Sequence, residues 1–289
     1  MGNLQIMDRA RAISRLVRTI YRSRLPIAIA EWGRKHRGDG TDPLEFVTTR
    51  TLNEIWRHLK FDREALLQTQ IARVLVTRDR AKYFFAQDVV KRITNPTQQV
   101  AANTLEYNLD AAKSFPELDR PMMMINVVTS IDRVYKNKKR MDVLSIGPRS
   151  EIEIFGTQSA GFSKDRIHAI DLFSYSPFIE VGDMHAIPYP DSSFDVLLAG
   201  WVLSYSTDQG RVAREIVRVC RNQAIVAIAG DFSDGTRDRQ TFSNETTHMQ
   251  SCEQVLSQFS GHVKRVYFRH DPQLPEVTTV MTVFEVDKP

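Results

Sequence analysis

Residues 182–205 read Gly182-Asp183-Met184-His185-Ala186-Ile187-Pro188-Tyr189-Pro190-Asp191-Ser192-Ser193-Phe194-Asp195-Val196-Leu197-Leu198-Ala199-Gly200-Trp201-Val202-Leu203-Ser204-Tyr205. Pro188, Pro190, Asp191 and the paired serines punctuate a loop. The run 194–200 then turns almost wholly apolar, the pattern of a strand covered on both faces of a parallel sheet. Working outward, the same pattern recurs at 141–146 (MDVLSI), 167–172 (IHAIDL), 223–229 (QAIVAIA), 263–269 (VKRVYFR) and 277–286 (VTTVMTVFEV). Val212, Ile216 and Val219 line one side of a helix over 208–220. Only about seven residues join the last two strands, too few for a parallel crossover, so these pair antiparallel. The fold class is therefore α/β: a Rossmann-like, mostly parallel sheet with an antiparallel C-terminal strand pair.

Residues 1–118 follow a different grammar. Apolar three/four spacing predicts helices over 4–24, 43–59, 62–77, 79–93 and 97–114, with Pro26, the Gly38-Asp39-Gly40 turn and Pro96 as breaks. Residues 121–135 add one more helix, with Pro121 at its first turn. Lys136–Arg140 form a basic link into the first strand. The expected organisation is an all-helical region over 1–118, serving as an acceptor cap or interaction surface, and a Rossmann-like domain over 119–289.

The 289 residues are 42% apolar and 26% charged, which excludes a disordered chain, a collagen and a coiled-coil rod. No window approaches a membrane-spanning apolar run. The two cysteines, Cys220 and Cys252, fit a reducing compartment. The arginine-rich start lacks an apolar signal core, and a cytoplasmic location is expected. The net charge of +4 is unevenly spread: residues 1–40 hold nine Lys/Arg against three Asp/Glu. Arg11, Arg15, Arg18 and Arg22 share one face of the first helix. That face can touch an anionic membrane surface or a phosphate-bearing substrate, or it is simply solvated while the other face packs.

A strand, a tight glycine turn, a helix and a second strand ending in an acid make a nucleotide-binding unit. Here they are VLSIG (143–147), the stretch 148–160 and IHAIDL, with Asp171 standing 24 residues beyond Gly147. Together with the run 182–205, in which an Asp precedes a Leu-Pro-Phe-like stretch and Asp-x-Ser-Phe-Asp leads into a strand, this resembles the class I S-adenosylmethionine-dependent methyltransferases, in the subgroup acting largely on small molecules. The resemblance covers about 141–286. It implies S-adenosyl-L-methionine as cofactor, with Gly147 letting the backbone approach the methionine part. Asp171, with Leu172 beside it, would take the ribose hydroxyls. Asp183 would accept from the adenine amino group near the Met184 backbone. Gly200 and Trp201 would sit beside the methyl donor.

The first loop departs from that family. The usual acid-x-Gly-x-Gly-x-Gly becomes Ser145-Ile146-Gly147-Pro148-Arg149-Ser150-Glu151. Ser145 replaces the acid, and Arg149 and Glu151 replace glycines. Either Arg149 pairs with the cofactor carboxylate and Glu151 with its ammonium, or the loop is filled and the cofactor no longer binds. Pro148 disfavours a helical Gly147 and predicts an extended, rigid entry. The Lys/Arg-Pro-Gly-Gly turn common before strand five is absent, with Arg221-Asn222 in its place. Only 11 residues separate Asp171 from Asp183. The helix between the second and third strands should therefore be missing, and the third strand, near 179–181, should be very short. Tyr175 and Phe178 then form an aromatic wall near the adenine or plug the sheet edge.

Candidates for a base acting on the acceptor are His185, Tyr205, Asp231, Glu245 and His248; of these His248, His185 and Tyr205 are favoured. His168, His262 and His270 read as structural, and no metal-ligand spacing occurs. Three functions compete: a methyltransferase acting on a small hydroxylated acceptor such as a sugar or secondary metabolite, a nucleic-acid methyltransferase, and a non-catalytic protein with a degenerate glycine loop. Gly200-Trp201-Val202-Leu203 stands where a nucleic-acid enzyme would carry Asn/Asp-Pro-Pro-aromatic, so a nucleic-acid partner is disfavoured. The oligomeric state is not legible.

Overall fold

The structure, a computed structural model, describes residues 70–94, 96, 104–114, 120–232, 249–272 and 279–288. The chain divides into two compact units, residues 1–72 and 73–289. Apart from residues 70–72 the first unit lies outside the described residues, and with it the arginine-faced helix and the helix expected over 43–59. Within the second unit, Ala81, Leu109 and Ala112 pack with Phe173 and Tyr175.

Helix α1 (Gln70–Ala86) runs through the break expected at residue 78, where no proline or glycine interrupts it. It stops short of 93. Asp88 turns the chain at φ 51, and Lys91–Arg92 form β1 instead of helix. Helix α2 spans Thr104–Ser114. The single helix expected over 121–135 is two, α3 (Met122–Ser130) and α4 (Asp132–Asn137), separated by extended Ile131. The buried residues of α3, Met124, Ile125 and Val128, pack on one sheet face.

The sheet contains β2 (Val143–Ile146), β3 (Ile167–Asp171), β5 (Glu180–Val181), β6 (Phe194–Gly200), β7 (Cys220–Asp231), β8 (Val263–His270) and β9 (Thr279–Val286), in the order β5-β3-β2-β6-β7-β9-β8. β5, β3, β2, β6 and β7 pair in parallel, and β9 runs antiparallel to both β7 and β8. Helix α5 (Ile152–Ser159) links β2 to β3. Helix α6 (Gln209–Val219) precedes β7, and α7 (Cys252–Ser257) precedes β8. Val212, Ile216 and Val219 of α6 join Leu144, Leu197 and Val226 in one core, and α3 covers the opposite face.

The missing crossover helix is observed. After β3 the chain makes β4 (Phe173–Ser174), pairs it antiparallel with β1, and reaches β5 within a few residues. Phe173 and Tyr175 are buried against Ala81, Leu109 and Ala112 of α1 and α2. Asp195 clasps the start of the sheet: its Oδ2 accepts from the Asp142 backbone N–H at 2.9 Å and from Arg221 Nη1 at 2.5 Å. Arg221 also reaches Asp142 Oδ2 at 3.0 Å, so it ties three strand entries together where a glycine turn was looked for.

Glu151 is fully buried and grips Arg80 of α1, with Arg80 Nη2 at 2.9 Å from Oε1 and a second, closer contact from Nε. Ser176 Oγ donates to the same carboxylate at 2.5 Å. A buried charge that loses its partner keeps its desolvation cost. Arg80→Ala should therefore lower the unfolding free energy by about 3 kcal/mol, read as an earlier denaturant midpoint, and Arg80→Lys should restore only part because it lacks the fork. An unchanged midpoint for Arg80→Ala would show that this pair does not hold α1 to the sheet.

Candidate functional site

The carboxyl ends of β2, β3 and β6 open into a cleft of about 930 Å³, part of it open to solvent. β2 is the switch point, where successive connections depart in opposite directions across the sheet, and such crevices hold ligands in open α/β sheets. One wall is supplied from the helical segment by Thr104 and Asn108 of α2 and by Arg120 and Pro121 ahead of α3.

Gly147 ends β2 in the left-handed region, φ +65, rather than the extended entry expected from Pro148. A Cβ there would come within 2.2 Å of Val202 Cγ1, so two constraints exclude a side chain. Arg149 is also left-handed, φ 56. Its backbone N–H donates to Asp171 Oδ2 at 2.9 Å, and its Nε donates to Asn108 Oδ1 at 3.1 Å. The guanidinium is thus held toward Asn108 of α2, and Arg149 lines the cleft.

Gly147, Pro148, Arg149, Asp171, Leu172, Asp183, Met184, Gly200, Trp201 and Tyr205 all line this cleft. Ser145 does not. It is buried on β2, and its hydroxyl donates to Glu153 Oε1 at 2.5 Å. Glu151 is turned away into its Arg80 and Ser176 clasp, which corrects its assignment as partner of a ligand ammonium. Of the acids on this loop and the helix start, Glu153 is the one that lines the cleft, 2% exposed; a Cβ on Gly200 would stand 3.7 Å from its Oε2. The signal in the sequence was a lone acid in the apolar helix start Ile152-Glu153-Ile154-Phe155.

His185 is corrected as a base. It is 1% exposed, its Nδ1 lies 2.7 Å from Asp183 Oδ1 and its Nε2 lies 2.7 Å from Ser206 Oγ. Both ring nitrogens are thus committed away from any ligand. Asp231 sits at the cleft mouth, where its Oδ1 accepts from Trp201 Nε1 at 2.9 Å. Arg120 stacks 3.8 Å above the Trp201 ring and approaches Asp231 Oδ2 at 3.6 Å. Trp201 holds φ 58, a costly conformation for a bulky residue, of the kind found at ligand sites. Tyr175 and Phe178 stay out of the cleft and plug the sheet edge: Tyr175 packs 5.1 Å from Phe85, and Phe178 6.2 Å from Phe155. His248 and Glu245 lie outside the described residues.

Two carboxyls in the cleft are pushed upward. Burial lifts Glu153 to about 7, with the Asp171 charge adding and the Ser145 hydroxyl opposing. Burial lifts Asp171 to about 6 against the backbone N–H groups of Arg149, Phe173 and Leu172 and the Arg149 charge. Buried acids of this sort are matched to a ligand that brings positive charge and hydrogen-bond donors. An α-ammonium at Glu153 and a hydroxyl pair at Asp171 meet both demands, so the residues present fit S-adenosylmethionine.

Residues 160–228 match the family described as a methyltransferase domain. The chain is similar to the malonyl-[acyl-carrier protein] O-methyltransferase of Halorhodospira halophila, 25% identical over 130 residues that cover 38% of this chain and 40% of that protein. The match thus spans less than half the length of that curated relative. Among solved structures, the [4+2]-cyclase SpnF superposes with a TM-score of 0.43 at 15% identity, over 69% of this chain and 98% of that one. The N-methyltransferase NodS from Bradyrhizobium japonicum WM9, solved with S-adenosyl-L-homocysteine, gives 0.42 at 15% identity, over 65% and 94%.

The raised carboxyls set a pH dependence. Between the ordinary carboxylate range and about pH 7 the folded chain holds protons on Glu153 and Asp171 that the unfolded chain has released. Stability of the ligand-free protein should fall across that window as pH rises. Glu153→Gln removes the larger share. It should leave stability near pH 4 unchanged and raise it near pH 8, seen as a flatter plot of denaturation midpoint against pH. A plot parallel to wild type would mean that the Glu153 carboxyl takes up its proton over the same pH range folded and unfolded.

Proposed function

We propose that the chain, which carries a methyltransferase domain of the class I, S-adenosylmethionine-dependent kind, transfers a methyl group from that cofactor to a small hydroxylated acceptor, a sugar or secondary metabolite. The observation that carries this reading is the cleft itself: Asp171, Asp183, Glu153, Gly147 and Gly200 line one cleft at the carboxyl edge of a parallel sheet. S-adenosylmethionine supplies a sulfonium methyl group open to in-line displacement. The chain's work is mostly positioning.

Asp171 takes the ribose hydroxyls and Asp183 the adenine amino group, with Leu172 and Met184 beside them. Glu153, oriented by Ser145, takes the ammonium. Arg149, steadied by Asn108, takes the carboxylate. Tyr205, on the cleft wall, and His248 remain the groups for orienting the acceptor hydroxyl and receiving its proton. The curated relative named as an O-methyltransferase supports an oxygen acceptor. Arg120 and Trp201 frame the mouth by which the acceptor enters.

Calorimetric titration with S-adenosylhomocysteine tests the reading. Asp171→Ala and Asp183→Ala should each weaken binding by roughly 1.5–3 kcal/mol, the worth of a charge-assisted hydrogen bond. Arg149→Ala should weaken it more than tenfold, about 1.4 kcal/mol, with the fold intact. Tighter binding on Arg149→Ala would mean that this side chain blocks the cleft, and would favour the non-catalytic alternative. A steep loss of RNA binding with salt would favour a nucleic-acid substrate.

A further inference from the structure

Behind the cleft wall runs a buried chain of polar contacts. Asp183 Oδ1 accepts from the His185 backbone N–H at 2.8 Å and faces the His185 Nδ1 at 2.7 Å. His185 Nε2 meets Ser206 Oγ at 2.7 Å, and that oxygen also accepts from the Asp208 N–H at 3.0 Å. The His185 carbonyl accepts from Arg211 Nε at 2.8 Å. His185 and Ser206 are closed to solvent and Asp183 is 5% exposed on the cleft side. The chain therefore starts at one cleft wall, crosses the interior, and ends on the turn Leu203–Tyr205, which carries Tyr205 to another part of the lining.

A carboxylate that must meet one edge of a flat base has to be fixed in rotation as well as in place. The turn holding Asp183 is only an isolated bridge to Ala186, not a strand, so beyond the single His185 N–H on Oδ1 its backbone gives little torsional restraint. A ring wedged between two oxygens supplies it. In the tautomer with Ser206 donating to Nε2, Nδ1 donates to Asp183, and both imidazole nitrogens are satisfied.

We propose that His185 is a positioning residue: a buried strut that orients Asp183 toward the nucleoside and is itself oriented by Ser206. The proposal rests on the nucleoside lying against Asp183, as in the function proposed above. It predicts that Ser206, which touches no ligand, governs nucleoside affinity.

The test uses the full chain, calorimetry, and two probes, S-adenosylhomocysteine and methylthioadenosine, the second lacking the amino-acid end. Ser206→Ala should weaken both by the same factor, about five- to tenfold on the scale of one lost hydrogen bond. In an Asp183→Ala background the same substitution should cost nothing further, because the strut then holds nothing. His185→Asn, whose amide can replace the Nδ1 donor, should recover part of the affinity that His185→Ala loses. Wild-type affinity for Ser206→Ala overturns the strut. So does a loss that adds in full to that of Asp183→Ala, a loss confined to S-adenosylhomocysteine, or a His185→Asn variant no better than His185→Ala. A wild-type chain that binds neither probe instead overturns the proposed function, and the strut's purpose with it.

Discussion

The hydrogen bond from the Arg149 backbone N–H to Asp171 Oδ2 joins the ends of two neighbouring strands across the mouth of the cleft. It requires the chain to turn through two left-handed residues, Gly147 and Arg149, before α5 can begin. That turn sets the rotational phase of α5 and so decides which of its acids looks into the cleft. Successive helical residues are about 100° apart. Glu151 and Glu153, two positions apart, therefore point to opposite sides. One is clasped by Arg80 behind the loop, while the other lies under Ser145 on the cleft floor. The same bond draws β3 and its acid inward, where burial dominates the carboxyl chemistry.

This explains how much of the molecule was legible beforehand. The strands announced themselves because burial on both faces leaves few choices but β-branched and other apolar residues, and the 11-residue gap after Asp171 forced the loss of a helix by length alone. Many of the cleft-lining residues stand at or just beyond strand ends, where the sheet fixes them. The direction of Glu151 was not legible because it depends on helical phase, which depends on the left-handed Gly147 dihedral where Pro148 predicts an extended one. His185 was misread as a base because sequence proximity to Asp183 cannot tell a group facing a ligand from a group standing behind one. The helix boundaries at 78 and 93 failed because local apolar spacing is continuous there; Asp88's left-handed turn and pairing of Lys91–Arg92 with β4 end that helix, and both are set by tertiary contacts.

The helical segment from residue 73 does more than cover the sheet. Ile93 donates its N–H to the Leu172 carbonyl at 2.8 Å, β1 pairs with β4, and Asn108 holds Arg149. Each contact falls within a few residues of Asp171 or on the loop that bonds to it. The segment thus replaces, at this edge, the rigidity that a crossover helix would have given, and it brings Thr104 and Asn108 into the lining as a by-product.

Trp201 carries an optical consequence. The chain has three tryptophans, at positions 32, 56 and 201, and among the described residues Trp201 is the one present. Its indole is covered on one face by a guanidinium, tied through its ring N–H to a carboxylate, and part of the cleft lining. An emission dipole set between fixed charges of opposite sign is sensitive to any molecule that displaces either of them. The molecule therefore contains its own dye, anchored in a left-handed backbone conformation on the cleft wall.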